Sequence, residues 1–300
     1  MKVDSHTARE WASLAVESGK NWVRDGAASM GAALAFYTLF SMAPLLLLAI
    51  SVAGIVIGTD TARDLLMNQL TSLMGEQGAG AVSSVLERAN EKSEGWWSAL
   101  VSIVTLVIGA STVFAELRRD LDKIWSFAAA SSAGVWGFVS SKLLSVGMVA
   151  AIGFLLMVSL AVSATVSALG STWAGSLPGG ALVPRALEFA GSFVVITGLF
   201  AMIYKILPSV RIAWGDVWVG AAVTSLLFWI GKYLIGLYIG RSAIASPFGA
   251  AGTLVVVIVW VYYSAQIFFL GAEFTRAYAL RMGSLRGSGN ETPPAQAAKA

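Results

Sequence analysis

Apolar runs of about twenty residues, parted by short charged stretches, constrain this chain more than any other feature. The clearest is Gly249–Gly271, GAAGTLVVVIVWVYYSAQIFFLG, whose only ionisable side chains are two tyrosines. A helix rises ~1.5 Å per residue, so this run reaches roughly 34 Å, enough to cross a hydrocarbon core near 30 Å. Six runs of this kind are predicted as spans: Ala32–Gly58, Trp97–Ala115, Leu143–Leu169, Leu187–Leu207, Val217–Tyr238 and Gly249–Gly271. The expected fold is therefore an all-α membrane protein, six transmembrane helices in one bundle. With 57% hydrophobic and 12% charged residues, no ordinary soluble domain of 300 residues looks like this. A β-barrel is excluded, because its strands alternate over about ten residues instead of staying apolar for twenty.

Three parts are expected: an amphipathic N-terminal helix within 1–30, a six-span domain over 31–280, and a disordered tail over 281–300. A long outer loop covers 59–96. No cleavable signal peptide is read in the charged N-terminal stretch, and the first span is expected to stay as an anchor. With the N-terminus inside, fourteen of the 20 lysines and arginines fall on the inner side and five on the outer. That bias predicts both termini in the cytoplasm.

Trp11, Leu14, Ala15, Ser18 and Trp22 recur at helical spacing and predict an amphipathic helix over 8–25. It is expected on the inner leaflet, the alternative being a helix packed on the bundle. In the outer loop, Leu65, Leu66, Leu70 and Leu73, then Val82, Val85 and Leu86, predict two short amphipathic helices split by Gly75–Gly80. They either cap the bundle or rest on the outer leaflet. Leu117, Leu121, Ile124 and Trp125 give an inner-surface helix under a charged face.

Candidate functional groups are the polar residues of the spans, because each is costly in lipid. In the first span Pro44 cannot donate a backbone hydrogen bond and loosens the helix near Phe40, while Tyr37 and Ser41 share a face. This is either one wall of a cavity or a kink repaired by Ser41 or Thr38. Lys232 lies inside the fifth span and either snorkels outward or pairs with Glu188, the only acid at similar depth. Tyr263 and Gln266, three apart in the sixth span, face either a path or a neighbouring helix. Glu273 and Arg276, also three apart, close the inner end and read most simply as a salt bridge. Gly236 and Gly240 form a GxxxG that reads as close helix packing.

Catalysis is poorly supported. The one histidine, His6, stands in the polar N-terminal stretch and there is no cysteine, so neither a metal hydrolase site nor a Ser/His/Asp set can be assembled. No cofactor is expected. Basic residues mark topology and attraction to anionic headgroups, not nucleic acid.

Several motifs together carry a resemblance. AALAFYTLFSMAPLL in the first span, LRRDLDKIW after the second, ILPSVRIAWGDVWVGAAV before the fifth, and GKYLIGLYIG with SPFGAAGTLVVVIVWVYYSAQIFFLGAEFTRAYA resemble the YihY/BrkB family, over about residues 25–280. The resemblance implies a bacterial inner-membrane protein. Some members carry the label ribonuclease BN, regarded as a misassignment, others are virulence factors linked to serum resistance, and some are implicated in moving lipids or lipid precursors. The leading expectation is a transporter or flippase of an anionic lipid or amphiphile. The competing one is a non-transporting scaffold or envelope-integrity factor, with a ribonuclease last. Expected partners are membrane lipids and the amphiphile; a homo-oligomer stays open.

Overall fold

The computed structural model describes residues 5–91, 112–125, 182–241 and 252–286. Among the described residues all regular structure is helical. The helices are α1 (Ser5–Arg24), α2 (Ala27–Ile57), α3 (Thr59–Glu91), α4 (112–124), α5 (Leu182–Ile206), α6 (Trp214–Arg241) and α7 (Gly252–Arg281). Three are long and apolar enough to cross a membrane, over Phe189–Ile206, Trp214–Tyr238 and Gly252–Arg281. A fourth is added if Arg9–Arg24 and Ala27–Ala43, bent by 66° at Asp25–Gly26, count as one broken span. The fourth, fifth and sixth expected spans thus fall on α5, α6 and α7. Most of the second expected span, Trp97–Ala115, and all of the third, Leu143–Leu169, lie outside the described residues.

Helix α7 joins the bundle together, packing against α1, α2, α3 and α6. With 30 residues it is about 45 Å long, so it outreaches a hydrocarbon core of roughly 30 Å and offers its last turns to other elements. The main core gathers Leu34 of α2, Leu121 and Ile124 of α4, Tyr204 of α5, Val217 of α6 and Phe269 of α7. Helices in lipid gain little from burying apolar surface, so close approach through small residues has to hold them. Gly220 of α6 leaves room for Thr275 of α7, and Gly271 of α7 leaves room for Thr224 of α6. Beside this contact the Tyr204 hydroxyl donates to the Phe268 carbonyl at 2.7 Å and lies 3.1 Å from Thr224 Oγ1.

Of the segment expected as the outer loop, Thr59–Glu91 form α3, which breaks at Gly75, where φ 77 and ψ 171 are open to glycine and strained for other residues. The break folds its two halves over the ends of α2, α6 and α7. Ala62 and Leu86 pack on Ile50, and Met74 and Val82 pack with Ile235 and Val257. Of the two arrangements expected for this segment, the structure takes the cap.

The N-terminal helix packs on the bundle, the alternative expected for it. Leu14 is buried against Phe274 and Ala277 of α7, Trp11 stacks on Phe274 at 6.0 Å, and Arg281 pairs with Glu17 at 2.6 Å. From its stripe Trp11 and Leu14 meet the end of α7, Trp22 packs against the main core, and Ala15 is exposed. Residues 281–286, expected in the disordered tail, are ordered. Ser284 donates its amide at 2.9 Å and its hydroxyl at 2.6 Å to Asp216 Oδ2, which pins this turn to the start of α6.

Candidate functional site

The densest group of charges sits where α1 turns into α2. Gly26, at φ 75, makes the turn that L side chains resist, and no side chain caps the α2 N-terminus it begins. Arg24 and Asp25 pair at 3.1 Å, and Lys123 of α4 donates from Nζ to the Asp25 carbonyl at 2.6 Å. Against this turn lies one stripe of α7. Gln266 donates from Nε2 to the Ala27 carbonyl at 3.3 Å, and Gly31 of α2 is small enough to admit its amide. Two turns further along the same stripe comes Glu273.

Glu273 is fully buried, and neither of its carboxylate oxygens has a hydrogen-bond partner. Arg276 forms the expected i, i+3 salt bridge with it at 3.9 Å, too long for a hydrogen bond. Asp25 repels the carboxylate, and Arg276 and Arg24 attract it. Gln266 Oε1 and Trp22 Nε1 are likewise buried without a partner. Buried polar groups are nearly always satisfied, so orphans gathered around one turn make it the candidate site.

The other expected residues scatter. Tyr263 leaves Gln266 and turns to α6, its ring against Gly231, next to Lys232. Lys232 is half-buried on α6. The Glu188 side chain lies outside the described residues, so the expected Lys232–Glu188 pair does too. Ser41 is buried and donates to the Thr38 carbonyl at 3.2 Å, one turn back on its own helix; Tyr37 is half-buried, its ring edge-on to Phe36 at 5.7 Å. Helix α2 continues past Pro44, and its apolar run parts there into Ala27–Ala43 and Leu45–Ile55. The structure therefore unites Gln266 and Glu273 and separates them from Tyr37 and Ser41. Among the described residues no group of His, Cys, Asp or Glu could hold a metal.

Sequence reasoning missed the acids of the motif after the second span. Asp122 is buried and accepts from the Ser209 amide at 2.6 Å and from its hydroxyl at 2.8 Å, while Arg118 donates to Ser209 Oγ at 3.2 Å. The motifs LRRDLDKIW and LPSVRIAW are thereby tied together. Asp120 is buried with Oδ2 unpartnered, and burial first, then Glu116, pushes its carboxyl from an ordinary 3.8 up to about 7. The folded state thus holds a proton that the unfolded chain has released, so this group's contribution is full below pH 4 and is lost as pH rises through about 7. Unfolding midpoints measured across that window should fall with pH in the wild type and flatten in Asp120→Asn. An unchanged slope would remove Asp120 as the cause.

The family model described as Virulence factor BrkB matches residues 19–296. Three similar proteins are each named UPF0761 membrane protein. That of Verminephrobacter eiseniae is 25% identical over 88% of this chain and 62% of its own length. That of Albidiferax ferrireducens is 25% identical over 87% of this chain and 61% of its own. For Psychromonas ingrahamii the identity is 26%, over 81% of this chain and 79% of the relative. The chain thus spans about six-tenths of the first two. No solved structure matches it. With a match across most of its length and apolar helices long enough to span a bilayer, the chain belongs to the Virulence factor BrkB family of membrane proteins.

Proposed function

We propose that this protein moves an anionic amphiphile of phospholipid type across the bacterial inner membrane, with both termini cytoplasmic. The observation that carries the reading is Glu273, buried with both carboxylate oxygens unpartnered. A helix bundle has no structural need of such a group, and an ionisable side chain kept at this cost is a working part by default. Lys232 supports it from α6 as a cation toward the opposite face. About eleven residues of helix, roughly 16 Å, separate the level of Lys232 from that of Glu273. A cation at one level suits capture of an anionic headgroup, and an ionisable carboxyl at the other suits its release. The scaffold reading draws on the Gln266–Ala27 and Asp122–Ser209 bonds, which do nothing but hold helices together.

Reconstitution into vesicles containing fluorescent phosphatidylglycerol separates the two. The wild type is expected to carry label between leaflets, and Lys232→Met to slow it about tenfold or more, the equivalent of ~1.4 kcal/mol on the barrier. Methionine keeps the apolar stem and removes a charge that is costly in lipid, so folding should be retained. Wild-type rates in the Met variant, or no movement of any anionic lipid, would leave the scaffold reading in place.

A further inference from the structure

We infer that Glu273 is a proton-binding site, loaded from water at the α1–α2 turn, and that its proton is the ion coupled to movement of the amphiphile. The coupling half of this inference rests on the transport reading above; the proton site itself stands on the geometry.

The geometry is that of a carboxyl built to be neutral part of the time. Glu273 has no exposed surface and no hydrogen-bond donor on either oxygen. An ionised carboxylate kept from water without donors is far more costly than the neutral acid, which needs only one acceptor. A divalent ion would call for several ligands, and among the described residues no group of three or more His, Cys, Asp or Glu is gathered to hold one. A proton needs one.

The charges facing Glu273 come from every side of the turn. Its own helix supplies Arg276 at 3.9 Å. From the α1–α2 turn come Arg24 and Asp25, paired with each other, and Lys123 of α4 is bound to the carbonyl of Asp25. Glu17 of α1 is taken up by Arg281, and Asp216 of α6 by Ser284. Asp25 retains 14% of its side-chain exposure while Glu273 retains none, so Asp25 is the group through which a proton from water reaches the buried acid.

Loading forms one O–H bond on a Glu273 oxygen, with the proton taken from water, and unloading returns it to water. No electron moves. The mechanical consequence follows from charge. Ionised Glu273 is repelled by Asp25 more than it is attracted by Arg24, and Arg276 lies on its own helix, so ionisation works to push the α1–α2 turn off α7. Neutral Glu273 removes that repulsion while Gln266 stays bound to Ala27, two turns away. Protonation therefore tightens the α1–α2 turn on α7 about a fixed point and loss of the proton loosens it, the pair of states an ion-coupled gate requires.

The test uses the purified protein in lipid nanodiscs, followed by infrared spectroscopy between about pH 5 and 9. A protonated-carboxyl band that titrates in the wild type should be missing in Glu273→Gln and displaced along the pH axis in Asp25→Asn. Glutamine copies the neutral acid, so the variant should fold; the Asp25→Asn shift keeps the test decisive if it does not. Identical titrations in all three proteins would overturn the site. In a second arm, vesicles with fluorescent phosphatidylglycerol are given a pH gradient. Wild-type rates should change by up to about tenfold per pH unit, and those of Glu273→Gln should be flat. Movement that stays equally pH-dependent in Glu273→Gln overturns the coupling and leaves transport standing. A titrating band without any lipid movement overturns the transport reading and leaves the proton site standing.

Discussion

Gly271→Ala will be among the most damaging single substitutions in this protein, costing about 3 kcal/mol or more. A Cβ at this position collides with Thr224 Oγ1 and comes within 2.7 Å of the Tyr204 hydroxyl. Both neighbours are fully buried, so neither can swing away into lipid. Overpacking a tight site costs ~1–3 kcal/mol, and losing the Tyr204–Phe268 bond strands a buried hydroxyl for a further ~1–3 kcal/mol. The measurement is unfolding in mixed micelles, where the double variant Gly271→Ala with Thr224→Ala should recover part of the loss. Wild-type resistance in the single variant would show that α6 and α7 are not held by this contact.

Asp122→Ala should come next, at about 3 kcal/mol. It removes two acceptors at once and leaves the Ser209 amide and Arg118 beside a vacated, buried position. Removing one partner of a buried pair is costly because the other stays desolvated, typically ~3–5 kcal/mol, and partial exposure of Arg118 lowers that figure. Ser209→Ala deletes only the hydroxyl bond and should cost ~1 kcal/mol. A double-mutant cycle on thermal unfolding checks the coupling. Additive effects at these two positions would dissolve the proposed tie between the two motifs.

What could be read in advance depended on distance along the chain. The apolar runs that became α5, α6 and α7 are local properties, and so is the break at Gly75, where a glycine interrupts a stripe of leucines. The stripe of α1 was legible too, but not its partner. Leucine spacing says that one face is buried, and nothing in residues 8–25 says that the overhang of α7 will bury it. Asp122 and Ser209 are 87 positions apart, and Asp122 sits in a run of charges that reads as a solvated face. The value of Tyr204 lies in a carbonyl 64 residues away, which no local pattern reports. For Glu273 the sequence shows one relation of two. The i, i+3 spacing gives the pair with Arg276, and nothing local gives Asp25, on a turn almost the whole chain away.

The central place of α7 also bears on how the protein is made. Helices α1, α2, α3 and α6 all lean on it, and all leave the ribosome before it does. Until its sequence has been translated, Leu14 has no Phe274 to cover it, Thr224 has no Gly271 to receive it, and the turn at Gly26 has no Gln266 to hold it. Contacts between early and late segments form slowly and leave their partners open meanwhile. Assembly is thus a closing event set by the arrival of one helix, and a nascent chain stopped short of Gly252 is a set of unfinished faces waiting in the bilayer for surveillance proteases to find.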